Sequence, residues 1–283
     1  MASTSNAFAF KTIQLIRKGP VDTIVLNRPE VLNAMSPLML DELLLYFQTL
    51  ENQALFRKRS ADQPRVVILK GAGKGFCAGL DIVTEDGGLD DFGKGSRVDE
   101  AFRSQRRISE IVIRMRRCPQ PIIALLHGAT CGGGLALALG ADVRICTANL
   151  KANVAMAAIG LSGNDIGISY FLPRIVGVSL ASEMILTANF INATRAEKAG
   201  FVSACYQTVE ELDKAGEQMA QDMLKLGVMG LELSKQGLNA SLSASSLESQ
   251  VMIEDRQQVM VSFDGEFVKR VKDFGVKKGK AKM

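Results

Sequence analysis

The sequence predicts a mixed α/β protein. Short apolar, strand-like runs alternate with stretches whose apolar residues recur at threes and fours, as a helix with one buried face requires. The chain has 283 residues, of which 47% are hydrophobic, enough for one large core or one domain plus an appendage. Tryptophan is absent and aromatics make up 6%, so Leu, Ile, Val, Ala and Met must fill that core.

The first strand expected is Val21 to Asn27, which alternates around Ile24 and Leu26 and ends at Arg28-Pro29. Ser36 then fits an N-cap with Pro37 at the first helical position. That helix runs through Leu38, Leu40, Leu43, Leu44, Phe47 and Leu50. A polar stretch from Arg57 to Arg65 leads into the strand Val66–Leu69. Residues 85–96 are rich in Gly and Asp and read as a mobile loop. The next helix has Ile108, Ile111, Val112 and Met115 on one face and is broken at Cys118-Pro119-Gln120-Pro121. The strand Ile122–Leu126, a short apolar helix Leu135–Leu139 and the strand Val143–Thr147 follow. Thr194-Arg195-Ala196-Glu197 fits a capping box, and Phe201 to Tyr206 reads as a strand. Strand–turn–helix units recur between residues 21 and 205, so residues 1–206 are expected to form the core. Residues 207–283 are helical in pattern, with Leu- and Met-rich stripes suited to a core or a subunit interface.

The net charge of +4 is concentrated at one end. The last fifteen residues hold seven Lys or Arg and one Asp, and the rest of the chain has a slight excess of acid. A near-neutral body with a basic tail argues against a nucleic-acid surface. The five cysteines form no C-x-x-C pair, as expected of reduced thiols. No apolar run approaches the roughly 18 residues of a membrane span, and Met1–Phe10 does not read as a signal peptide. The terminal Ala281-Lys282-Met283 resembles a peroxisomal address, which applies if the source is eukaryotic; a cytoplasmic location is expected otherwise.

Two glycine-bearing turns carry the chemistry. Phe76-Cys77-Ala78-Gly79-Leu80-Asp81 follows one strand, and His127-Gly128-Ala129-Thr130-Cys131-Gly132-Gly133-Gly134 follows another. Two such turns can aim two backbone N–H groups at one point, where a carbonyl oxygen could gain negative charge. Taken singly, each turn reads as a site of tight turning and close packing; the two in this arrangement read as functional.

These residues resemble the crotonase, or enoyl-CoA hydratase/isomerase, superfamily. The resemblance runs in order through Leu26-Asn27-Arg28-Pro29, Leu32-Asn33-Ala34-Met35-Ser36, Gly71 to Asp81, Pro121-Ile122-Ile123-Ala124, Gly132-Gly133-Gly134, Ala141-Asp142-Val143-Arg144 and Ala196-Gly200-Phe201-Val202. It implies a spiral of β-β-α units with a C-terminal helical region used for trimerisation, as a homotrimer or dimer of trimers. It also implies an acyl-CoA thioester substrate, with no cofactor beyond the coenzyme A of the substrate. By position, the oxyanion donors are the N–H groups of Ala78 and Gly133. The CoA moiety is expected against Arg28, Ala34, Leu80, Asp81 and Ile82. Phe267 and Arg270 of a neighbouring subunit add a platform and a phosphate partner, or else belong to an ordinary amphipathic helix.

The sequence departs from the hydratase pattern. The two glutamates that such hydratases use fall at Ala136 and Met156, and neither side chain can move a proton. Asp165 remains, eight residues before Pro173, at the spacing that some double-bond isomerases of the family use. Asp165 reads either as the catalytic base or as a cap for the helix containing Ser169 to Leu172. An apolar setting with Met156 and Phe171 would raise its pKa, and Asn164 and Tyr170 are further hydrogen-bond candidates. The implied reaction is conversion of 3-enoyl-CoA to 2-enoyl-CoA through a dienolate. Dienoyl-CoA isomerisation, hydration with an atypical base, and CoA binding without catalysis are the alternatives. His127, the single histidine, reads as structural, Cys77 and Cys131 as apolar filler, and no metal site is expected.

Overall fold

The computed structural model describes residues 9–55, 63–82 and 98–280. The Gly/Asp-rich stretch at 85–96 and the terminal Ala281-Lys282-Met283 lie outside these residues. The chain divides into two compact units, Met1–Ala220 and Gln221–Met283.

The first unit opens with β1 (Ile13–Lys18), joined through Gly19-Pro20 to the antiparallel β2 (Val21–Leu26). β3 (Val66–Gly71), β4 (Ile122–Leu126), β6 (Val143–Thr147) and β9 (Cys205–Tyr206) then add in parallel, giving the order β1-β2-β3-β4-β6-β9. Central parallel strands are covered on both faces, so they read as continuous apolar runs. The five residues of β4, Ile-Ile-Ala-Leu-Leu, are all buried. A second sheet pairs β5 (Ala129–Cys131), β7 (Lys151–Asn153) and β8 (Ile191–Asn192). Two isolated parallel bridges, Cys77 with Thr130 and Met35 with Leu80, extend this second layer.

Helices close each turn of the chain. α1 (Pro37–Leu55) follows the Met35 bridge, and α2 (Val98–Arg117) follows the Leu80 bridge. α3 (Gly133–Gly140) follows β5, and α4 (Ile168–Val176) and α5 (Val178–Thr187) follow β7. Large-sheet strand, short second-layer strand and helix thus repeat as a spiral of β-β-α units. α1 packs on α2, α2 on α3, α3 on α4 and α4 on α5. Met39, Leu43, Tyr46, Phe47 and Leu50 form the buried face of α1, with Tyr46 and Phe47 edge to face at 5.2 Å. Leu38 lies outside that face and is exposed.

Several local expectations shift. β1 was not expected, and only Cys205–Tyr206 of the Phe201–Tyr206 run forms a strand. Phe201 and Val202 are instead buried plugs, and the Arg144 side chain donates from Nε to the Phe201 carbonyl at 2.9 Å. α6 (Ala193–Lys198) is capped by Asn192, not by Thr194. The Asn192 Oδ1 accepts from Arg195 N–H at 2.9 Å, because extended Asn192 of β8 leads straight into the helix. The Ser36 cap is present, accepting from Met39 N–H at 3.3 Å.

α7 (Val209–Leu224) runs across the boundary between the units, and its Gly216 faces Leu125. The second unit contains α8 (Val228–Ser241), α9 (Leu247–Ser262) and α10 (Gly265–Lys280). Ser246 and Ser249 form a capping box at the start of α9, and Gln250 donates to the Gly237 carbonyl at 3.1 Å. Leu247, Val259, Phe263 and Phe267 are exposed on this unit. Among the described residues, no helix is long and apolar enough to cross a membrane.

Candidate functional site

The two glycine turns are hydrogen-bonded to each other. Phe76 N–H donates to the His127 carbonyl at 2.8 Å, Cys77 N–H to Ala129 at 2.9 Å, and Cys131 N–H to Cys77 at 2.9 Å. Two glycines permit this approach. A Cβ on Gly134 would fall 2.3 Å from the Cys77 carbonyl oxygen, inside any allowed contact. Gly79 adopts φ 114°, and a Cβ there would lie 3.6 Å from the Gly133 nitrogen. The segment that carries Ala78 therefore runs directly beside the start of α3.

Gly133 is the first residue of α3, so its N–H has no acceptor within the helix. All eight residues of α3 are buried, which holds this positive helix end inside protein. Ala78 N–H is engaged: it donates to the Leu32 carbonyl at 2.9 Å. Leu32 and its neighbour Asn33 are both left-handed, with φ 51° and 58°. Asn33, fully buried, holds the turn by accepting from Arg28 N–H at 2.9 Å and donating to the Ala72 and Gly75 carbonyls at 2.8 Å each. Asparagine tolerates this conformation better than most residues.

The structure gathers the five core residues expected to meet CoA. Met35 N–H donates to the Gly79 carbonyl at 2.8 Å and Asp81 N–H to the Met35 carbonyl at 3.1 Å, which sets residues 34–35 beside 79–82. Arg28 Nη1 donates to Asp81 Oδ2 at 2.7 Å and to the Ala34 carbonyl at 2.6 Å. Arg28 and Asp81 thus bind each other. Ala34 is buried, Leu80 half-buried and Ile82 exposed. Phe267 and Arg270 lie on α10 of the second unit. Phe267 is exposed, while the Arg270 guanidinium binds Glu266 at 2.7 Å and the Lys225 carbonyl at 2.6 Å.

Asp165 stands in the chain just before α4 and does not cap it. The N-cap of α4 is Gly167, with no side-chain cap bond. Asp165 Oδ1 instead accepts from Ile166 N–H at 2.8 Å and from Gln105 Nε2 at 2.5 Å. Half-burial raises the carboxyl above the usual aspartate range, against the lowering effect of these two donors. Its chain neighbours Ile166 and Ile168 are buried in the same apolar cluster as Ala136 and Met156. Phe171 lies against Gly167 and beneath Arg116, whose Cζ is 5.6 Å from the ring centre. Tyr170 is covered by Arg174 at 4.0 Å, and Asn164 is exposed.

Gln105 was missed by sequence reasoning. It sits three residues before Ile108 on the apolar stripe of α2, and a polar residue on a buried face was the available signal.

His127 is buried, with Nε2 3.0 Å from the Gly73 carbonyl, and burial lowers its pKa. It ties the first turn to the end of β4. Burial pushes the Cys77 thiol up to about 12 and raises Cys131 as well, which removes the thiolate a nucleophile needs. Among the described residues, no group of three or more His, Cys, Asp or Glu side chains could hold a metal ion.

The sequence profile of the enoyl-CoA hydratase/isomerase family matches residues 17–277. The chain is 35% identical over 238 residues to the "Probable enoyl-CoA hydratase EchA12" of Mycobacterium tuberculosis, covering 84% of this chain and 80% of the relative. Among solved structures, a "probable enoyl-CoA hydratase/isomerase" from Mycobacterium abscessus superposes with a TM-score of 0.81 at 32% identity, over 95% of this chain and 97% of that one. A monofunctional enoyl-CoA isomerase from M. smegmatis superposes with a TM-score of 0.68 at 34% identity, over 85% and 98%. With its β-β-α spiral, its paired glycine turns and a profile match over most of its length, the chain belongs to the enoyl-CoA hydratase/isomerase, or crotonase, superfamily.

Proposed function

We propose that the protein is an acyl-CoA double-bond isomerase that converts 3-enoyl-CoA to 2-enoyl-CoA. The observation that carries this reading is the carboxylate inventory. Ala136 and Met156, at the positions of the two hydratase glutamates, are 1% and 7% exposed and apolar, whereas Asp165 keeps a carboxyl with a raised pKa. Addition of water needs a group to activate the water and one to protonate carbon. Double-bond migration needs one base used twice.

In the proposed reaction Asp165 takes a proton from the α-carbon. The electron pair spreads over the dienolate, whose oxygen meets the N–H groups of Gly133 and Ala78. Asp165 then returns the same proton to the γ-carbon, and the α,β double bond is left. A preorganised oxyanion donor such as the Gly133 N–H contributes about 3 kcal/mol in the transition state, and the Ala78 N–H less, by the cost of breaking its bond to Leu32. The Ala78 donor becomes available only when the Leu32 carbonyl moves off it. The pantetheine and nucleotide lie along Ala34, Leu80 and Ile82, with the Arg28–Asp81 pair shaping that edge. Assembly as a trimer or dimer of trimers is part of the same proposal, supported by the apolar residues exposed on α9 and α10.

The test supplies a 3-enoyl-CoA and follows formation of the conjugated 2-enoyl product. Asp165→Asn keeps an acceptor for both donors and removes the base, so a loss of at least about 100-fold in kcat is expected. Equal turnover by the two proteins removes Asp165 from the mechanism. Preferred turnover of a dienoyl-CoA, or net hydration, would assign a different reaction to the site.

A further inference from the structure

Both hydrogen bonds to the Asp165 carboxyl fall on the same oxygen. Oδ1 receives Ile166 N–H at 2.8 Å and Gln105 Nε2 at 2.5 Å, while Oδ2 receives no hydrogen bond among the described residues. Gln105 reaches across 60 residues of sequence, from the middle of α2 to the segment that opens α4. The backbone at this point is unusual. Ile166 is β-branched yet has φ 48°, a region that β-branched residues rarely enter. That conformation accompanies the bond from Ile166 N–H to the preceding carboxylate. Strain of this kind persists only when the surroundings over-determine it.

We infer that Gln105 is a positioning residue: by holding Asp165 Oδ1 to α2, it fixes the carboxylate plane and leaves Oδ2 as the oxygen that carries the proton. The inference rests on the reading of Asp165 as the base. A half-buried aspartate on a segment with exposed Leu161, Ser162 and Asn164 would otherwise sample several rotamers. One donor from its own backbone fixes a distance. A second donor from another helix fixes the plane.

The charged groups on the surrounding elements are engaged elsewhere. α3 carries no titratable side chain. On α4, Arg174 stacks on Tyr170. On α2, Arg103 pairs with Asp99, Arg106 with Glu110 and Arg107 with Asp41. On α5, Glu183 pairs with Arg195. Burial and the two hydrogen-bond donors therefore account for the titration of Asp165.

The experiment compares Gln105→Ala, Gln105→Glu, Asp165→Asn and the Gln105→Ala/Asp165→Asn double variant. Two readouts are used: isomerisation of a 3-enoyl-CoA across pH, and NMR titration of the Asp165 carboxyl carbon in the intact protein. Gln105→Ala should lower kcat by about 10-fold or more with KM within about twofold, as loss of an orienting partner does at comparable sites. The acid limb of its kcat profile should move to higher pH, because a donor to the charged carboxylate is gone. Gln105→Glu should move it further, since two adjoining carboxyls resist joint ionisation. The double variant should be no slower than Asp165→Asn alone.

An Asp165 titration unchanged in Gln105→Ala overturns the inference, as does an additive loss in the double variant. Failure of the isomerase reading looks different: the wild-type protein would not turn over the 3-enoyl-CoA. The NMR titration, which needs no turnover, would then decide alone whether Gln105 governs this carboxyl.

Discussion

Arg28 Nη1 lies 2.7 Å from Asp81 Oδ2, and the two side chains are only 17% and 5% exposed. This pair fastens the segment after β2 to the end of the first glycine turn. Asp81→Ala would leave a largely buried guanidinium with the Ala34 carbonyl but no counter-ion among the described residues. Losing one partner of a buried pair costs about 3–5 kcal/mol. We expect a reduction in unfolding free energy of that order in urea titrations. In enoyl-CoA kinetics KM should rise more than kcat falls, because the proposed CoA edge loosens while the base stays in place.

Gly134→Ala tests the joining of the two turns. The added methyl would meet the Cys77 carbonyl, a backbone atom that can yield only if the Cys77–Thr130 bridge opens. Turnover should fall by at least about 100-fold, the scale reported for loss of one oxyanion donor. Melting temperature should also drop. Gly230→Ala is the control: open space surrounds this helical glycine of α8, and the substitution should stabilise by about 0.5–1 kcal/mol.

In the proposed mechanism Asp165 links activity and stability through pH. Its folded pKa is raised, so between the unfolded and folded values the native state holds more protons than the unfolded chain, and stability falls as pH rises. Above the folded pKa the ionised form carries the full desolvation cost. Asp165→Asn should therefore melt higher than wild type at neutral pH, and the gap should close as pH falls below the unfolded aspartate value. Over the same acid range wild-type kcat should fall as the base becomes protonated. A gap that widens toward acid would contradict this linkage.

Tyr46 tests the outer core. Its hydroxyl donates to Asp22 Oδ2 at 2.9 Å, and Arg17 holds the same carboxylate at 2.6 and 2.7 Å. Tyr46→Phe should cost about 1–2 kcal/mol, since Asp22 keeps its arginine. Burial first, then the Asp22 charge, raises the Tyr46 pKa well above 10. Stability from the neutral phenol persists below pH 10 and is lost as pH rises through the folded value. Tyrosinate absorbance of the native protein at pH 10 should thus be the same in wild type and Tyr46→Phe.

The sequence revealed most where burial was uniform. β4 is five buried apolar residues, and α3 is wholly buried, so their patterns admitted one reading. β1 escaped because it is an edge strand: only Ile13 of its six residues is fully buried, and Gln14, Arg17 and Lys18 interrupt the pattern. Thr194 looked like a cap because capping boxes are recognised by residue type, whereas the cap that forms depends on the backbone that β8 delivers at Asn192. At the candidate site, the pairing of the two glycine turns could be read from residue order, and Asp165 could be singled out as a candidate in the same way. The Gln105–Asp165 bond could not, since nothing local joins residues 60 positions apart. The contact of Leu32 with Ala78 was equally hidden, because it depends on two successive left-handed residues, neither of them glycine.

If Ala78 is an oxyanion donor, as proposed, its bond to the Leu32 carbonyl makes the polypeptide its own occupant of that position. In the proposed reaction every acyl group must compete with an amide oxygen for that N–H. A neutral thioester oxygen gains little from the exchange, so the displaced carbonyl subtracts from affinity for the resting substrate. The dienolate oxygen is charged, and a charge-assisted hydrogen bond is about twice as strong as a neutral one. The exchange becomes favourable only as charge develops. In the proposed reaction self-occupation would thereby filter ground-state binding and reserve the donor for the intermediate, a differential that favours kcat over tight substrate capture.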